Sequence, residues 1–347
     1  MDALLWQDKA LSLLDQRSYP KEEIWHDCKD YRQVVALISS GAVQGEAIIS
    51  CAGSYAFCLA ALEFEGAADF FNQLTAAKSA LLSSAPASAA LKKAMAKLDS
   101  IHEEYRNSSD LITAFLATAV TIHRQDVIGC RSMNQFGREI IPEEAKIVML
   151  CQSGFFHTGN LSGAVGTVRA AARKNKVSQV YVCEGRPGLE GARLISHELA
   201  KDEIQTTLIP DHTAASLMPR QCCDMVLLDC FSISANGDLL AAPGAYELAI
   251  SAYFHSIPVY ASAFSSVIDV SIPNGEAFPK EDGDAAEVLA MHTELPAGVS
   301  GWTPKYDMLP QYLLTGFITE KGLLFPDYTE TIPELLAKTP EKRVITL

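Results

Sequence analysis

The chain has 347 residues, a formal charge of −14 and 48% hydrophobic residues, with charged side chains at 20%. That balance gives a packed core of one large or two ordinary domains rather than disorder. It also argues against general binding to nucleic acid or to anionic membranes, so neither is expected as a partner.

The opening residues, Met1 to Trp6 followed by Gln7, Asp8 and Lys9, lack the basic and apolar segments of a signal peptide, and a cytoplasmic protein is expected. Up to about Gln125 the pattern reads as helical. Apolar residues recur at three and four spacing in Leu4, Leu5, Leu11 and Leu14, in Phe70, Leu74 and Leu81, and in Leu91, Met95 and Leu98. The uncharged run from Ala47 to Leu62 is short for a membrane span and is interrupted by Ser50, Gly53 and Ser54, which predicts a buried core helix.

After Gly129 the rhythm changes. Short apolar runs at Lys146–Cys151, Val177–Cys183, Thr206–Ile209, Met225–Leu228 and Ile257–Tyr260 alternate with helical stretches. Runs of this kind are buried on both faces, as parallel strands covered by helices are. The expected fold class is α/β: a doubly wound, mainly parallel, Rossmann-like sheet over residues 129–347, preceded by a mostly helical domain over 1–128. Ligands of such sheets bind beyond the carboxyl ends of the strands. Cys151, Glu184, Asp211, Asp229 and the turn Asn236-Gly237-Asp238 are therefore expected around one crevice.

The loop from Gln152 to Gly163 is glycine-rich and precedes a helix, so it can be an anion-binding loop or simply a tight turn. It carries neither GxGxxG nor the P-loop lysine, and no nucleotide cofactor is expected. The nine cysteines, at 28, 51, 58, 130, 151, 183, 222, 223 and 230, form no CxxC pair and lie near no histidine cluster. Neither a disulfide framework nor a metal site is expected.

Several segments in order resemble one family. They are Trp6…Leu14-Asp15-Gln16-Arg17…Pro20, Val43–Ile48, Cys151-Gln152-Ser153-Gly154, Glu184–Leu194, Ala235–Asp238, Gly244-Ala245-Tyr246 and Ile318–Gly322. Together they resemble the methylthioribose-1-phosphate isomerases, relatives of ribose-1,5-bisphosphate isomerases and of the regulatory subunits of initiation factor 2B. The resemblance implies a homodimer, no cofactor, and proton transfer between C1 and C2 of a sugar phosphate. It implies a thiol, here Cys151, facing a carboxylate, with basic groups and backbone N–H groups on the phosphate.

At the site this chain departs from that pattern. The family's aspartate falls on Phe231, with Asp229 as the neighbouring acid. Its Arg-Gly-Ala becomes Gln44-Gly45-Glu46, a later Arg-Pro becomes Ala85-Pro86, a glutamine becomes Glu190, and Asn-Lys becomes Ala241-Ala242. Arg186, Arg193, Asn236 and Asp238 match. The candidate catalytic residue is Cys151. The candidate ligand contacts are Gln44, Gly45, Glu46, Gln152, Ser153, Gly154, His157, Glu190, Asp229, Phe231, Asn236 and Asp238.

The favoured expectation is a diverged member that binds or acts on a neutral or cationic metabolite, since two arginines and a lysine of the pattern are lost while Glu46 and Glu190 are gained. Two alternatives stand beside it. One is an aldose–ketose isomerase using Cys151 and a relocated acid; the other is a different chemistry with Cys151 as nucleophile and His157 as base.

Overall fold

The computed structural model describes residues 3–86, 88–106, 108–151, 163–290 and 294–338. The chain divides into two compact units, one built from the chain up to Cys130 and a second built chiefly from the chain after it.

The first unit opens with three antiparallel strands, β1 (Leu4–Gln7), β2 (Ala10–Leu14) and β3 (Trp25–Cys28), where helix was expected. Leu4, Leu11, Leu13 and Leu14 are buried as anticipated, but from strands. The reason is local: Asp8 and Lys9 both adopt positive φ (53° and 58°), closing a two-residue hairpin turn between Gln7 and Ala10. Five helices follow: α1 (Tyr31–Ser39), α2 (Glu46–Glu63), α3 (Phe70–Ser84), α4 (Ala89–Tyr105) and α5 (Leu111–Ile140), whose residues after Cys130 belong to the second unit. Helix α2 is long and apolar enough to cross a membrane by length and composition, but 78% of it is buried within the protein, as in a core helix.

At the end of β2 the Arg17 guanidinium grips the buried Asp15 carboxylate at both oxygens, and His26 Nε2 lies 3.4 Å away. Chiefly through Arg17, this holds the Asp15 carboxyl down at about 2. A carboxyl lowered by folding adds stability that is complete above its unfolded value near 4 and is lost as the pH falls through about 2. Because Arg17 is half exposed, the gain is under about 1 kcal/mol. In urea melts from pH 7 to pH 2, Asp15→Asn is expected to be the weaker protein at neutral pH, with the gap to the wild type narrowing as the pH falls from about 4 toward 2. A gap that stays constant with pH refutes this.

The second unit is a doubly wound sheet. Its elements are β4 (Ala145–Leu150), α6 (Gly163–Ala172), β5 (Val177–Cys183), α7 (Ser196–Lys201), β6 (Thr206–Ile209), β7 (Met225–Ser234), β8 (Leu239–Ala241), α8 (Ala245–Phe254), β9 (Val259–Ser262), β10 (Ile268–Asp269), α9 (Ala285–Leu289), β11 (Asp307–Leu309), β12 (Gly316–Thr319), β13 (Gly322–Leu324) and α10 (Tyr328–Ala337). The strands lie in the order β13-β12-β9-β7-β4-β5-β6, all neighbours parallel except β13. From β4 the chain winds outward through β5 and β6, then returns to the other side of β4 with β7, β9 and β12. The winding therefore reverses between β4 and β7, and a crevice opens beyond the carboxyl ends of those two strands. Apolar runs cover both faces, with Ile147, Val148, Met149, Val226, Leu227 and Leu228 all buried.

Strand β7 is longer than its apolar run. Past Asp229 it slips register at Phe231, leaves β4 and β9, and pairs antiparallel with β8. Asn236-Gly237-Asp238 is the tip of that hairpin, more than about 15 Å along the strand from Asp229 at about 3.3 Å per residue. In that turn Asp238 accepts hydrogen bonds from the N–H groups of Gly275 (2.8 Å) and Gln311 (2.9 Å), and Asn236 Nδ2 donates to it (2.9 Å).

Candidate functional site

Parallel register puts Leu150 opposite Leu228, so the next residues, Cys151 and Asp229, stand level at the point where the winding reverses. Both are buried. Burial above all, and then the Asp229 carboxylate within hydrogen-bonding reach, push the Cys151 thiol well above its ordinary range. At neutral pH the sulfur is a protonated thiol beside a carboxylate: a proton donor next to a proton acceptor, not a ready nucleophile.

Asp229 is fixed from the other side by α6. The N–H of Ala164 donates to its Oδ1 at 3.0 Å, in the first turn of the helix, where backbone donors have no helical partner. Gly163 is needed there because a Cβ would lie 2.7 Å from that same oxygen, and its φ is +64°. Pairing between neighbouring strands thus brings the acid to the thiol.

Ser262 ends β9 opposite Asp229, and its buried hydroxyl has no hydrogen-bond partner among the described residues. Sequence reasoning missed it, since a serine closing an apolar run carries no motif. Phe231 occupies the register slip of β7, half-buried, with its ring 4.9 Å from that of Tyr306. Gln152, Ser153, Gly154 and His157 lie outside the described residues. Among the described residues there is no cluster of histidine, cysteine and acid groups that could hold a metal.

Glu190 precedes a turn of π-helix, Gly191–Ile195, that leads into α7. Its Oε2 is buried without a hydrogen-bond partner among the described residues, and burial raises its carboxyl above the usual range despite nearby Arg193. Asp211, at the end of β6, accepts the N–H groups of Gly185 (2.8 Å) and Arg186 (2.7 Å).

Three further candidate residues, Gln44, Gly45 and Glu46, belong to the first unit. Gln16, at the end of β2, clamps the backbone of Gln44 both ways: Nε2 donates to its carbonyl (3.1 Å) and Oε1 accepts its N–H (3.2 Å). Gly45 at φ 104° then turns the chain into α2. This delivers Glu46 to the start of α4, where its Oε2 accepts from Ser88 Oγ (2.9 Å) and from the N–H of Ala90 (3.0 Å). The carboxylate thus satisfies orphan donors and the positive end of a helix dipole. The expectation that Glu46 and Glu190 act together as bare negative charges is revised. Glu46 is hydrogen-bonded at a helix N-terminus, and Glu190 is pushed by burial toward its uncharged form.

A Rossmann-ordered sheet with a thiol and a carboxylate at its switch point, preceded by a mostly helical unit, defines an α/β class whose relatives are known. Residues 42–326 match the model of the initiation factor 2 subunit family. The chain is 34% identical to a methylthioribose-1-phosphate isomerase of Desulforamulus reducens, over 96% of this chain and 99% of that one. It is 35% identical to the isomerase of Pelotomaculum thermopropionicum, over 100% and 97%. Among solved structures, the 5-methylthioribose 1-phosphate isomerase of Pyrococcus horikoshii superposes with a TM-score of 0.89 at 27% identity, covering 96% of this chain and 95% of that one. The delta subunit of initiation factor eIF-2B from A. fulgidus gives 0.85 at 26%, covering 97% and 99%. The chain belongs to the family of methylthioribose-1-phosphate isomerases and initiation factor 2B subunits.

Proposed function

We propose that this chain is a cytoplasmic member of the family that does not isomerise methylthioribose 1-phosphate and takes a small ligand without a phosphate. The observation that carries the reading is Glu46 on the N-terminus of α4. The two stretches in which the resemblance implies phosphate-gripping arginines are Gln44–Glu46 and Ala85–Pro86. In this chain they meet around a built-in carboxylate, with glutamine and alanine where the guanidinium groups would be. A phosphate brought to those donors competes with an anion that is already bound covalently to the chain. Phe231 supports the same reading, since a phenyl ring transfers no proton.

The adjoining Cys151–Asp229 pair favours a second reading, an aldose–ketose isomerase with a relocated acid, the thiol donating and the carboxylate accepting the proton. Assay of methylthioribose 1-phosphate beside an active isomerase of the family separates them. Background turnover supports the first reading; turnover at an ordinary enzymic rate of about 1–10³ s⁻¹ replaces it with the second. The reading of Cys151 as a nucleophile draws no support from a buried, protonated thiol.

For the assembly, the homodimer implied by the resemblance is the arrangement we favour. Tyr246, Ile250, Tyr253 and Phe254 form an exposed apolar row along α8, Phe254 at 82%. Light scattering is expected to give twice the 37.6 kDa chain mass, and Tyr253→Asp/Phe254→Asp to halve it; a monomeric wild type refutes the assignment.

A further inference from the structure

Strand β9 ends in Ser262, and parallel register sets it between Asp229 on β7 and Ile318 on β12. Neighbours in register point to the same face of a sheet. Asp229 reaches the first turn of α6, where it accepts from the N–H of Ala164, and α6 packs against both β7 and β9. Ser262 therefore points toward the same helix end. The row across the strand ends reads Cys151, Asp229, Ser262 and Ile318. It is a thiol, a carboxylate, a hydroxyl and an apolar side chain, about 4.8 Å apart from strand to strand.

The hydroxyl is the anomaly in that row. Ser262 is 4% exposed, and its Oγ is buried with no hydrogen-bond partner among the described residues. An unpaired buried hydroxyl is costly, and alanine at the end of this apolar run would remove the cost. Ser265, three residues on and also buried, shows the ordinary solution: Glu320 accepts both its N–H and its Oγ–H. Ser262 has no such arrangement, and it stands where doubly wound sheets bind their ligands.

The chemistry of the missing partner follows from the two groups it must meet. It has to accept the proton of the Ser262 hydroxyl, since Ile318 on the far side accepts none. It also has to donate to Asp229, since an ionised carboxylate only accepts, at about four positions. A phosphate oxygen accepts from serine but meets a like charge in Asp229. An ammonium donates to Asp229 but accepts nothing. An alcohol does both at once, and the chain from serine hydroxyl to ligand hydroxyl to carboxylate is mutually strengthening. Carboxylates at the strand ends of such sheets hydrogen-bond ribose hydroxyls in the same manner.

We propose that Ser262 is a ligand-binding residue of the switch-point site and that its ligand is a neutral polyol, one hydroxyl of which bridges Ser262 and Asp229. This deepens the function proposed above and rests on it in taking the ligand to lack a phosphate.

The test is calorimetric titration of the full chain with D-ribose, ribitol and 5-methylthioribose, beside ribose 5-phosphate and putrescine. At least one polyol is expected to bind below about 1 mM, ahead of the phosphate and the amine. Ser262→Ala is expected to weaken that polyol by about tenfold. One monodeoxy analogue of the polyol, lacking the bridging hydroxyl, is expected to lose about as much against the wild type and nothing further against Ser262→Ala. In urea unfolding without ligand, Ser262→Ala is expected to have a midpoint no lower than the wild type, because the hydroxyl holds no part of the fold. A lowered midpoint makes the hydroxyl structural and overturns the proposal. So does absence of polyol binding at millimolar concentration, affinity unchanged in Ser262→Ala, or tighter binding of ribose 5-phosphate or putrescine. Failure of the underlying reading shows instead as turnover of methylthioribose 1-phosphate, a separate measurement.

Discussion

Incubated with methylthioribose 1-phosphate, the purified chain is expected to form product no faster than background. On the proposed reading two losses combine. A positioned acid–base group contributes about 10²–10⁴-fold to a proton-transfer reaction, and the position that the resemblance gives it holds Phe231, packed on Tyr306. Hydrogen bonds from charged donors to a phosphate are worth roughly 1.5–3 kcal/mol each, and the two positions for which the resemblance implies guanidinium groups hold Gln44 and Ala85. Glu46 adds repulsion: at about 4 Å and an effective dielectric near 20, two like charges cost about 4 kcal/mol before screening. A designed reversal checks the causes. Gln44→Arg, Glu46→Ala and Phe231→Asp together are expected to raise turnover by about 10²-fold or more above the parent. Parent turnover equal to that of an active relative refutes the expectation outright. Failure of the triple variant to gain activity moves the explanation away from these three residues.

The second unit was largely legible because its signal is simple. Buried parallel strands read as uninterrupted apolar runs, and Val177–Cys183 and Thr206–Ile209 appear at those bounds. The opening hairpin was not legible. Leu4, Leu11 and Leu14 satisfy helical spacing and alternating spacing almost equally, and nothing in Asp8-Lys9 announces a turn with two positive φ angles. Nor was the end of β7, whose polar residues from Asp229 onward look like a loop until β8 pairs with them. At the site, residue types were visible and partners were not. Cys151 and Asp229 are 78 positions apart in the chain, and only the register of β4 on β7 sets them level. Glu46 reads as a charge facing a ligand until Ser88 and Ala90 are seen to hold it.

Gly191→Ala is expected to be among the most destabilising single-methyl additions in the second unit. A Cβ on Gly191 would lie 1.8 Å from the carbonyl oxygen of Cys183, with the carbonyl carbons of Cys183 and Glu184 at 3.0 and 3.1 Å. The obstacle is main chain at the end of β5, not the tip of a flexible side chain, so relief requires the strand end or the π-helical turn to move. Forced overpacking in a packed region costs about 1–3 kcal/mol, occasionally more, and the backbone contact places this site at the upper end. The displacement also reaches the ligand region, because the N–H of Ala192 donates to the Glu184 carbonyl and Glu190 immediately precedes the turn. Gly66→Ala is the control. Nothing lies within 4 Å of its added methyl group, and only the strain of its φ of +80° remains. In thermal and urea unfolding, Gly191→Ala is expected to lose about 3 kcal/mol or more and Gly66→Ala clearly less. Equal losses from the two substitutions would mean that the close approach of Gly191 to β5 is not what sets the entry of the π-helical turn.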